Sequence, residues 1–254
     1  MKVIIQPYSP RSEGARELVK ALRNIGVSTE LKNPGFVPGR DDVVVNWGCG
    51  FHTIDNPYNV KIFNPNHLLQ LAINKLKFFT HLDKYAGVSK VPFFTSQQTA
   101  EEFMRRDGNK HAIYCRTQLA KRSGKGIVVA HKPSELVPCS LYTVQCPNTN
   151  EYRIQVFHDR IISELEKRPR GEGKVNYEIR TDDNGWFYKK DIIVPPVVLD
   201  VASRTIKALG LDFGGVDIIY DKASHKAWAL EVNTAPGLKE RSASLYAQAI
   251  AHAL

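Results

Sequence analysis

Apolar and polar residues follow a strand–helix–strand order over the first 65 residues. A short apolar run is followed by a segment with apolar residues at helical spacing and then by two more apolar runs. These segments are residues 3–6, 12–24, 28–31 and 42–47. This order predicts a small βαβ unit with a parallel sheet. Ligands bind at the carboxyl ends of such strands, so Asn46, Trp47 and Gly48 form either a substrate wall or a structural turn.

The rest of the chain mixes helical patterns with short strand patterns. Residues 66–85 predict one helix and residues 196–209 predict another. Strand-like runs between them predict an antiparallel arrangement. They are residues 92–95, 112–116, 127–130, 142–145, 152–157 and 161–166, with a polar helix at 100–107 and a polar loop at 169–185. A strand pair at 215–233 and a short helix complete an α/β (α+β) fold.

Composition places the chain among folded globular proteins. Hydrophobic residues make up 43% and charged residues 24% of its 254 residues, which excludes disordered and low-complexity classes. The most apolar later stretch, residues 192–199, is interrupted by prolines and is far shorter than the roughly 20 residues of a membrane span. No signal-peptide pattern opens the chain and its four cysteines lack zinc spacing, so we expect reduced cysteines and a cytoplasmic location.

The net charge of the chain indicates which kind of molecule it binds. The chain has 35 Lys and Arg against 26 Asp and Glu, which gives a formal net charge of +9. A positive balance of this size favours an anionic partner, such as a nucleotide, a nucleic acid or an acidic peptide. Charge alone does not choose among these three.

The most informative segment is GGVDIIYDKASHKAWALEVNTAPGL, residues 214–238, in which two apolar runs flank a polar stretch. The pattern predicts an antiparallel hairpin. If the hairpin is symmetric about Ser224, Asp217 lies opposite Glu231. One face then belongs to the core and carries Val216, Ile218, Tyr220, Trp228, Leu230 and Val232. The other face carries Asp217, Asp221, Glu231 and Asn233.

Two directly opposed carboxylates destabilise a hairpin unless their charge is compensated. A Mg²⁺ ion would do so, because hard divalent cations prefer carboxylate and amide oxygens and share them with nucleotide phosphates. Separate Lys or Arg partners for Asp217 and Glu231 on a solvated face would do so as well. The hairpin by itself leaves both interpretations open.

Two further segments place basic residues where an anion is commonly bound. In YCRTQLAKRSGKGIVVA, residues 114–130, two glycines let backbone N–H groups approach a phosphate, although a solvated basic turn explains the same pattern. Its charged residues are Arg116, Lys121, Arg122 and Lys125. In EYRIQVFHDRIISELEKR, residues 151–168, an inward Arg153 is suited to binding a phosphoryl group bidentately, and a surface position is equally open. The charge run around Arg168 is typical of a solvated loop.

Together these elements resemble the ATP-grasp superfamily. The order is a lysine-bearing helix, a glycine-loop hairpin, an E-Y-R strand and a D…E-x-N hairpin, and the tail ALEVNTAPGL is its most specific part. The resemblance covers essentially the whole chain. It points to the branch of ribosomal-protein glutamate ligase and D-alanine–D-alanine ligase, in a short form like those of tailed phages.

The resemblance implies an ATP-grasp fold with two domains. Residues 1–65 would form a βαβ pre-ATP-grasp domain and residues 66–254 the ATP-grasp domain. Within the latter, residues 92–147 would form the lid and adenine hinge, and residues 148–254 the C-terminal catalytic subdomain.

The resemblance also implies roles for individual residues. It assigns Asp217, Glu231 and Asn233 to one or two Mg²⁺ ions that bridge ATP phosphates. It assigns ATP to Lys75, Arg116, Lys121, Ser123, Gly124, Gly126, Val144, Gln145, Cys146, Ile219 and Leu230. It assigns the reacting groups to Arg153, Asn176 and Arg168, with Arg180 as a further candidate for the substrate carboxylate. The family's acidic residue after the hinge is replaced by residues 147–150, which leaves Asn148 for the ribose.

The implied activity is that of an ADP-forming carboxylate–amine ligase acting through an acyl phosphate. The substrates would be an amino acid, a peptide or a protein terminus that supplies a carboxylate, together with an amine. An ATP-grasp kinase is the alternative of the same fold. A basic nucleic-acid-binding protein is a weaker alternative, because the basic segments lack interleaved aromatic residues. The resemblance leaves a homodimer open and places the protein in the cytoplasm, which for a phage protein is that of the host.

Overall fold

The computed structural model describes residues 1–121, 124–146, 150–171 and 173–254. The chain begins with four short strands that form one sheet in the order β2-β1-β3-β4. These are β1 (Val3–Pro7), β2 (Thr29–Leu31), β3 (Val43–Trp47) and β4 (Ile62–Phe63). Every pairing in this sheet is parallel, which confirms the βαβ expectation. Helix α1 (Glu13–Asn24) begins at Ser12, whose hydroxyl accepts a hydrogen bond from Ala15 N at 3.3 Å.

The single helix predicted for residues 66–85 is wrong. Two helices, α2 (Asn66–Ile73) and α3 (Lys75–Leu82), are separated by Asn74, whose backbone is extended at φ −88° and ψ 111°. The Asn74 side chain accepts a hydrogen bond from Lys77 N at 3.1 Å and so caps the second helix. Asn is a preferred cap residue, and this break places Lys75 at the start of α3.

A second sheet follows, in the order β5-β8-β6-β7. Its strands are β5 (Phe93–Phe94), β6 (Ile113–Arg116), β7 (Ile127–Ala130) and β8 (Tyr142–Val144). All its pairings are antiparallel, as predicted. Helix α4 (Gln97–Asp107) packs Ala100 and Met104 against this sheet.

The third and largest sheet has five strands in the order β11-β10-β9-β12-β13. They are β9 (Asn150–Phe157), β10 (Arg160–Pro169), β11 (Trp186–Lys189), β12 (Phe213–Asp221) and β13 (Lys226–Asn233). Neighbouring strands are antiparallel. Strand β11 was not predicted. Helix α5 (Pro196–Ala208) covers one face, and α6 (Glu240–His252) ends the chain.

Aromatic residues join the first sheet to the third. Trp47 is fully buried and stacks on Phe213 with ring centroids 5.0 Å apart, while Tyr246 of α6 meets it edge-on. Asn46 accepts a hydrogen bond from Cys49 N at 2.9 Å and donates to Cys49 O. Of the two interpretations of this segment, a substrate wall or a structural turn, these contacts therefore support the structural one for Asn46 and Trp47.

The three sheets occupy residues 3–63, 93–144 and 150–233. The domain boundaries drawn from the sequence stay a prediction. Among the described residues, no helix has the length and apolar character needed to cross a membrane.

Candidate active site

The β12–β13 hairpin brings two carboxylates side by side. Asp217 pairs with Glu231, as the sequence predicted, but the following pair is Ile218 with Ala229. Leu230 is thus the extra residue of a β-bulge, and the bulge reverses which residues face the core. Ala229, and not Leu230, shares the core face with Ile218. The predicted core position of Leu230 is therefore wrong, and the bulge lets Leu230 line the same cleft as Asp217 and Glu231.

Each of the two carboxylates is paired with its own cation. Arg153 of β9 donates to Asp217 from Nε at 2.6 Å and from Nη2 at 2.7 Å. The Nζ atom of Lys75 lies 3.1 Å from Glu231 Oε2 and donates to Lys121 O at 3.0 Å. The sequence analysis left two ways to compensate the like charges, a Mg²⁺ ion or separate Lys and Arg partners. The structure shows the second, with one ion pair for each carboxylate.

The neighbouring cations keep the Glu231 carboxylate ionised. Burial by itself would raise the pKa of Glu231, but the charge and hydrogen bond of Lys75, followed by Arg153 and Arg116, lower it to about 2. Burial would lower the pKa of Arg153, and Asp217 outweighs this effect and raises it. Two anions and three cations therefore coexist within one small region.

The donor set of Asp217, Glu231 and Asn233 fits a magnesium ion. It consists of two carboxylates and an amide, and Asn233 Nδ2 lies 3.4 Å from Asp217 Oδ2. Mg²⁺ takes such hard oxygens, commonly from one or two carboxylates, and completes its shell with water and phosphate. No cluster of three or more His, Cys, Asp and Glu side chains suited to a metal occurs in the described part of the chain. An ion at this site would complete its shell with oxygens from water or from a phosphorylated ligand.

A cleft of about 390 Å³ lies between the second and third sheets, with Asp217 and Glu231 in its wall. It combines an apolar lining with several charged side chains. The aliphatic residues are Val91, Ile127, Val144, Ile179, Ile219 and Leu230. The charged residues include Arg116, Glu151, Arg153, Lys167 and Arg180. A ligand with a flat apolar part and a polyanionic part matches this lining.

A second cavity, of about 500 Å³, adjoins the first and shares Glu231 and Asn233 with it. The ends of β1 and β3 contribute Tyr8, Gly48 and Cys49. Lys75, Lys121 and Lys125 make its other side basic. Glu231 and Asn233 thus lie where the two cavities meet, with Asp217 and Arg153 in the wall of the first and Lys75 in the wall of the second.

The glycine loop between β6 and β7 requires glycine at both predicted positions. Gly124 has φ +70°, and a Cβ there would lie 2.5 Å from Ile179 Cγ2. Gly126 has φ +75°, and its carbonyl accepts a hydrogen bond from Thr117 N at 2.8 Å. Gly124 lines the first cleft and Lys121 the second cavity. The predicted Ser123, with Arg122, lies outside the described residues.

Two predicted reacting residues are not brought to the cleft. Arg168 donates to Glu166 at 2.7 Å and lies on the opposite face of β10 from Lys167, because successive residues of a strand point to opposite faces. Asn176 accepts hydrogen bonds from Glu178 N at 2.9 Å and from Ile179 N at 3.1 Å, so its side chain shapes its own loop. By contrast, Arg180 lines the cleft.

The predicted adenine hinge is only partly in the cleft. Val144 lines it, while neither Gln145 nor Cys146 does. The backbone N of Gln145 donates to Ala112 O at 2.8 Å, and the Cys146 side chain belongs to the core, where burial raises its pKa to about 12. Asn148, proposed for the ribose, lies outside the described residues.

The sequence analysis gave no role in the site to several cleft residues, among them Glu151, Lys167 and Tyr188. Burial raises the pKa of Glu151 although Lys167 forms an ion pair with it. Glu151 is an acidic residue shortly after the predicted hinge. The sequence analysis searched for such a residue at positions 147–150, and Glu151 lies one position beyond them. Tyr188 belongs to the unpredicted β11, and its ring centroid lies 4.6 Å from Arg153 Cζ.

Strand order, the lid-like second sheet and the cleft together define the ATP-grasp fold. A structure titled ATP-grasp ligase PsnB complexed with minimal precursor, Mg and ADP has a TM-score of 0.68 and 12% sequence identity, with 98% of this chain and 96% of that chain covered. The macrocyclase MdnC bound with precursor peptide MdnA from Microcystis aeruginosa MRC has a TM-score of 0.65 and 12% identity, with 99% and 100% covered. D-alanine–D-alanine ligase from Bacillus anthracis has a TM-score of 0.62 and 13% identity, with 99% and 96% covered.

Identities this low show a shared fold, and the chain therefore has the ATP-grasp fold that its sequence motifs implied. No protein-family model matches the chain, and no curated protein matches it.

Proposed function

We propose that the protein is an ATP-dependent carboxylate–amine ligase that forms an amide bond and releases ADP and phosphate. The observation that carries this proposal is that Glu231 lies at the junction of two cavities, paired with Lys75 and directly across the hairpin from the Asp217–Arg153 pair. One cavity suits a nucleotide and the adjoining one suits a second substrate. Their junction is where a phosphoryl group would pass from one to the other.

Individual residues then take distinct roles. Ile219, Leu230 and Val144 would contact the base, and Glu151 the ribose. Lys75, Arg116 and Arg153 would bind the phosphates, while the backbone of the glycine loop covers them. Asp217, Glu231 and Asn233 would hold one or two Mg²⁺ ions, which when bound neutralise charge that develops on the phosphates.

The chemistry consists of two displacements. A carboxylate oxygen of the substrate attacks the γ-phosphorus of ATP, the bond from that phosphorus to the β–γ bridging oxygen breaks, and ADP leaves. The amine then attacks the acyl carbon, the carbon–oxygen bond to phosphate breaks, and the amine loses a proton to solvent. Arg153 would stabilise the charge of the transferred group in both steps. No nucleophilic side chain is needed.

The carboxylate or amine would come from a peptide. PsnB and MdnC, which share the fold, were solved with precursor peptides. The second cavity is large and basic at Lys121 and Lys125, which suits a chain that carries carboxylates. An acidic peptide with a reactive carboxylate is therefore the substrate class to test first.

A labelled carboxylate tests the proposal directly. Peptides with side-chain carboxylates enriched in heavy oxygen are incubated with the enzyme, Mg²⁺, ATP and an amine donor, and the released phosphate is analysed by mass spectrometry. We expect one heavy oxygen in the phosphate, because acyl-phosphate formation transfers a carboxylate oxygen. ADP release with a phosphorylated acceptor and no labelled phosphate would instead identify a kinase, and no ADP release with any acceptor would contradict both.

A further inference from the structure

Arg153 is held on two sides by its neighbours. Its Nε and Nη2 atoms donate to the carboxylate of Asp217. Its guanidinium carbon lies 4.6 Å from the centre of the Tyr188 ring, within the range of a cation–π contact. Nη1 donates to no residue within the part of the chain that the structure describes, so this edge is the one left for a ligand.

Tyr188 lies beside Arg153 because of the β10–β11 register. Tyr188 pairs with Lys167, whose Nζ lies 5.4 Å from the same ring. The Tyr188 hydroxyl forms no hydrogen bond with any described residue, so the ring itself makes the contact. Tyr188 also lines the cleft, while its strand neighbour Phe187 is exposed and does not.

We propose that Tyr188 is a positioning residue for Arg153, and that its ring holds the guanidinium with Nη1 directed to the terminal phosphate of the nucleotide. This inference rests on the proposed function and adds a residue to it. Asp217 orients one edge of the guanidinium and Tyr188 supports its face, so the group is oriented before the ligand arrives. Loss of the Tyr188 ring would keep the positive charge of Arg153 but would let the guanidinium group adopt other orientations.

The consequence is a specific effect on nucleotide discrimination. Arg153 would contact only the terminal phosphate, so a loosened guanidinium weakens binding of a non-hydrolysable ATP analogue and leaves ADP binding unchanged. A desolvated cation–π contact corresponds to about a 5- to 30-fold change in affinity. We expect Tyr188→Leu to lower the ratio of analogue to ADP affinity by this factor.

Calorimetric titration with Mg²⁺ and each nucleotide measures this ratio in the full-length protein. Tyr188→Phe keeps the ring and should retain the wild-type ratio. Phe187→Leu removes an aromatic from the same edge strand without touching Arg153 and should also retain it. In the double variant Tyr188→Leu with Arg153→Lys, the ratio should fall no further than with Arg153→Lys alone, because both changes act on one contact.

An unchanged ratio in Tyr188→Leu would overturn the inference while leaving the proposed function intact. A loss in Tyr188→Phe equal to that in Tyr188→Leu would overturn it too, since the hydroxyl and not the ring would then matter. Wild-type protein that binds neither nucleotide would overturn the proposed function itself. Thermal melting of each variant shows whether it is folded, and only variants that melt cooperatively enter the comparison.

Discussion

The third sheet carries two similar arginine–carboxylate pairs, one on each face. Arg153 donates hydrogen bonds to Asp217 from Nε and Nη2, and Arg168 donates to Glu166 from the same two atoms. Both carboxylates are nearly fully buried. The arginines differ, because the side chain of Arg153 is 21% exposed and that of Arg168 is 47% exposed.

The surroundings of the two pairs explain why only one is a candidate site. Asp217 has a second carboxylate, Glu231, as its cross-strand neighbour, and two cavities meet there. Glu166 has Asn150 as its other hydrogen-bond partner, and its cross-strand neighbours are Tyr152 and Lys189. The Arg168–Glu166 pair is therefore interpreted as structural. The Arg153–Asp217 pair is a candidate for phosphate and metal binding, because further anions and cations lie beside it at a cavity.

The largest expected effect comes from neutralising one acid on each face. Glu231→Gln should reduce ADP release by about 1,000-fold or more, because it removes a metal ligand, and should lower the free energy of unfolding by about 1–2 kcal/mol, because Lys75 loses its charged partner. Glu166→Gln should leave ADP release nearly unchanged and lower the free energy of unfolding by about 1–3 kcal/mol, because a buried charged hydrogen-bond partner is lost. A coupled ADP assay and urea unfolding measure both, and an active Glu231→Gln enzyme would remove the metal assignment.

The next effect separates the two arginines. Arg153→Lys should lower ADP release by about 100-fold, because lysine keeps the charge but cannot reproduce the side-on geometry. Arg168→Lys, the matched change on the opposite face, should stay within about twofold of wild type. Equal losses in the two variants, measured by the same coupled assay, would mean that the comparison between the faces is wrong.

Ligand-dependent melting tests whether the cation-paired carboxylates accept a metal without nucleotide. Mg²⁺ alone should leave the melting temperature unchanged, because Arg153 and Lys75 already neutralise Asp217 and Glu231. Mg²⁺ with ATP at about 100 times Kd should stabilise the protein by about 2.7 kcal/mol, a shift on the order of 5–10 °C at this chain length. ATP with a chelator is the control, and an equal shift in its presence would exclude a metal-dependent nucleotide site.

The smallest effect concerns acid stability. The pKa of Glu231 is lowered from 4.5 to about 2 in the folded protein, so the stability that it contributes is fully present above 4.5 and is lost as pH falls toward 2. Unfolding free energies at about pH 6 and about pH 3 should therefore differ more in wild type than in Glu231→Gln, by about 1–2 kcal/mol after screening of this partly exposed group. The same difference in both proteins would show that the Lys75–Glu231 pair does not form.

Sequence patterns predicted those parts of the site that depend on local pairing. The opposition of Asp217 and Glu231 followed from hairpin symmetry. Leu230 was misplaced because a one-residue bulge leaves no mark in the hydrophobic pattern. The position of Arg168 outside the cleft was not evident from the sequence, because a charge run does not reveal which face of a strand each residue occupies.

The sequence by itself determined the order of most elements, the parallel first sheet, the antiparallel remainder and the motif that carries the acidic hairpin, but not β11 or the break between α2 and α3. These depend on interactions between residues near in the chain, which periodicity and turn residues record. Only the tertiary structure decided that Lys75 meets Glu231, that Arg153 meets Asp217, and that Tyr188 supports Arg153. Such contacts join strands and helices far apart in sequence, and they are set by sheet order and packing, which no local pattern specifies.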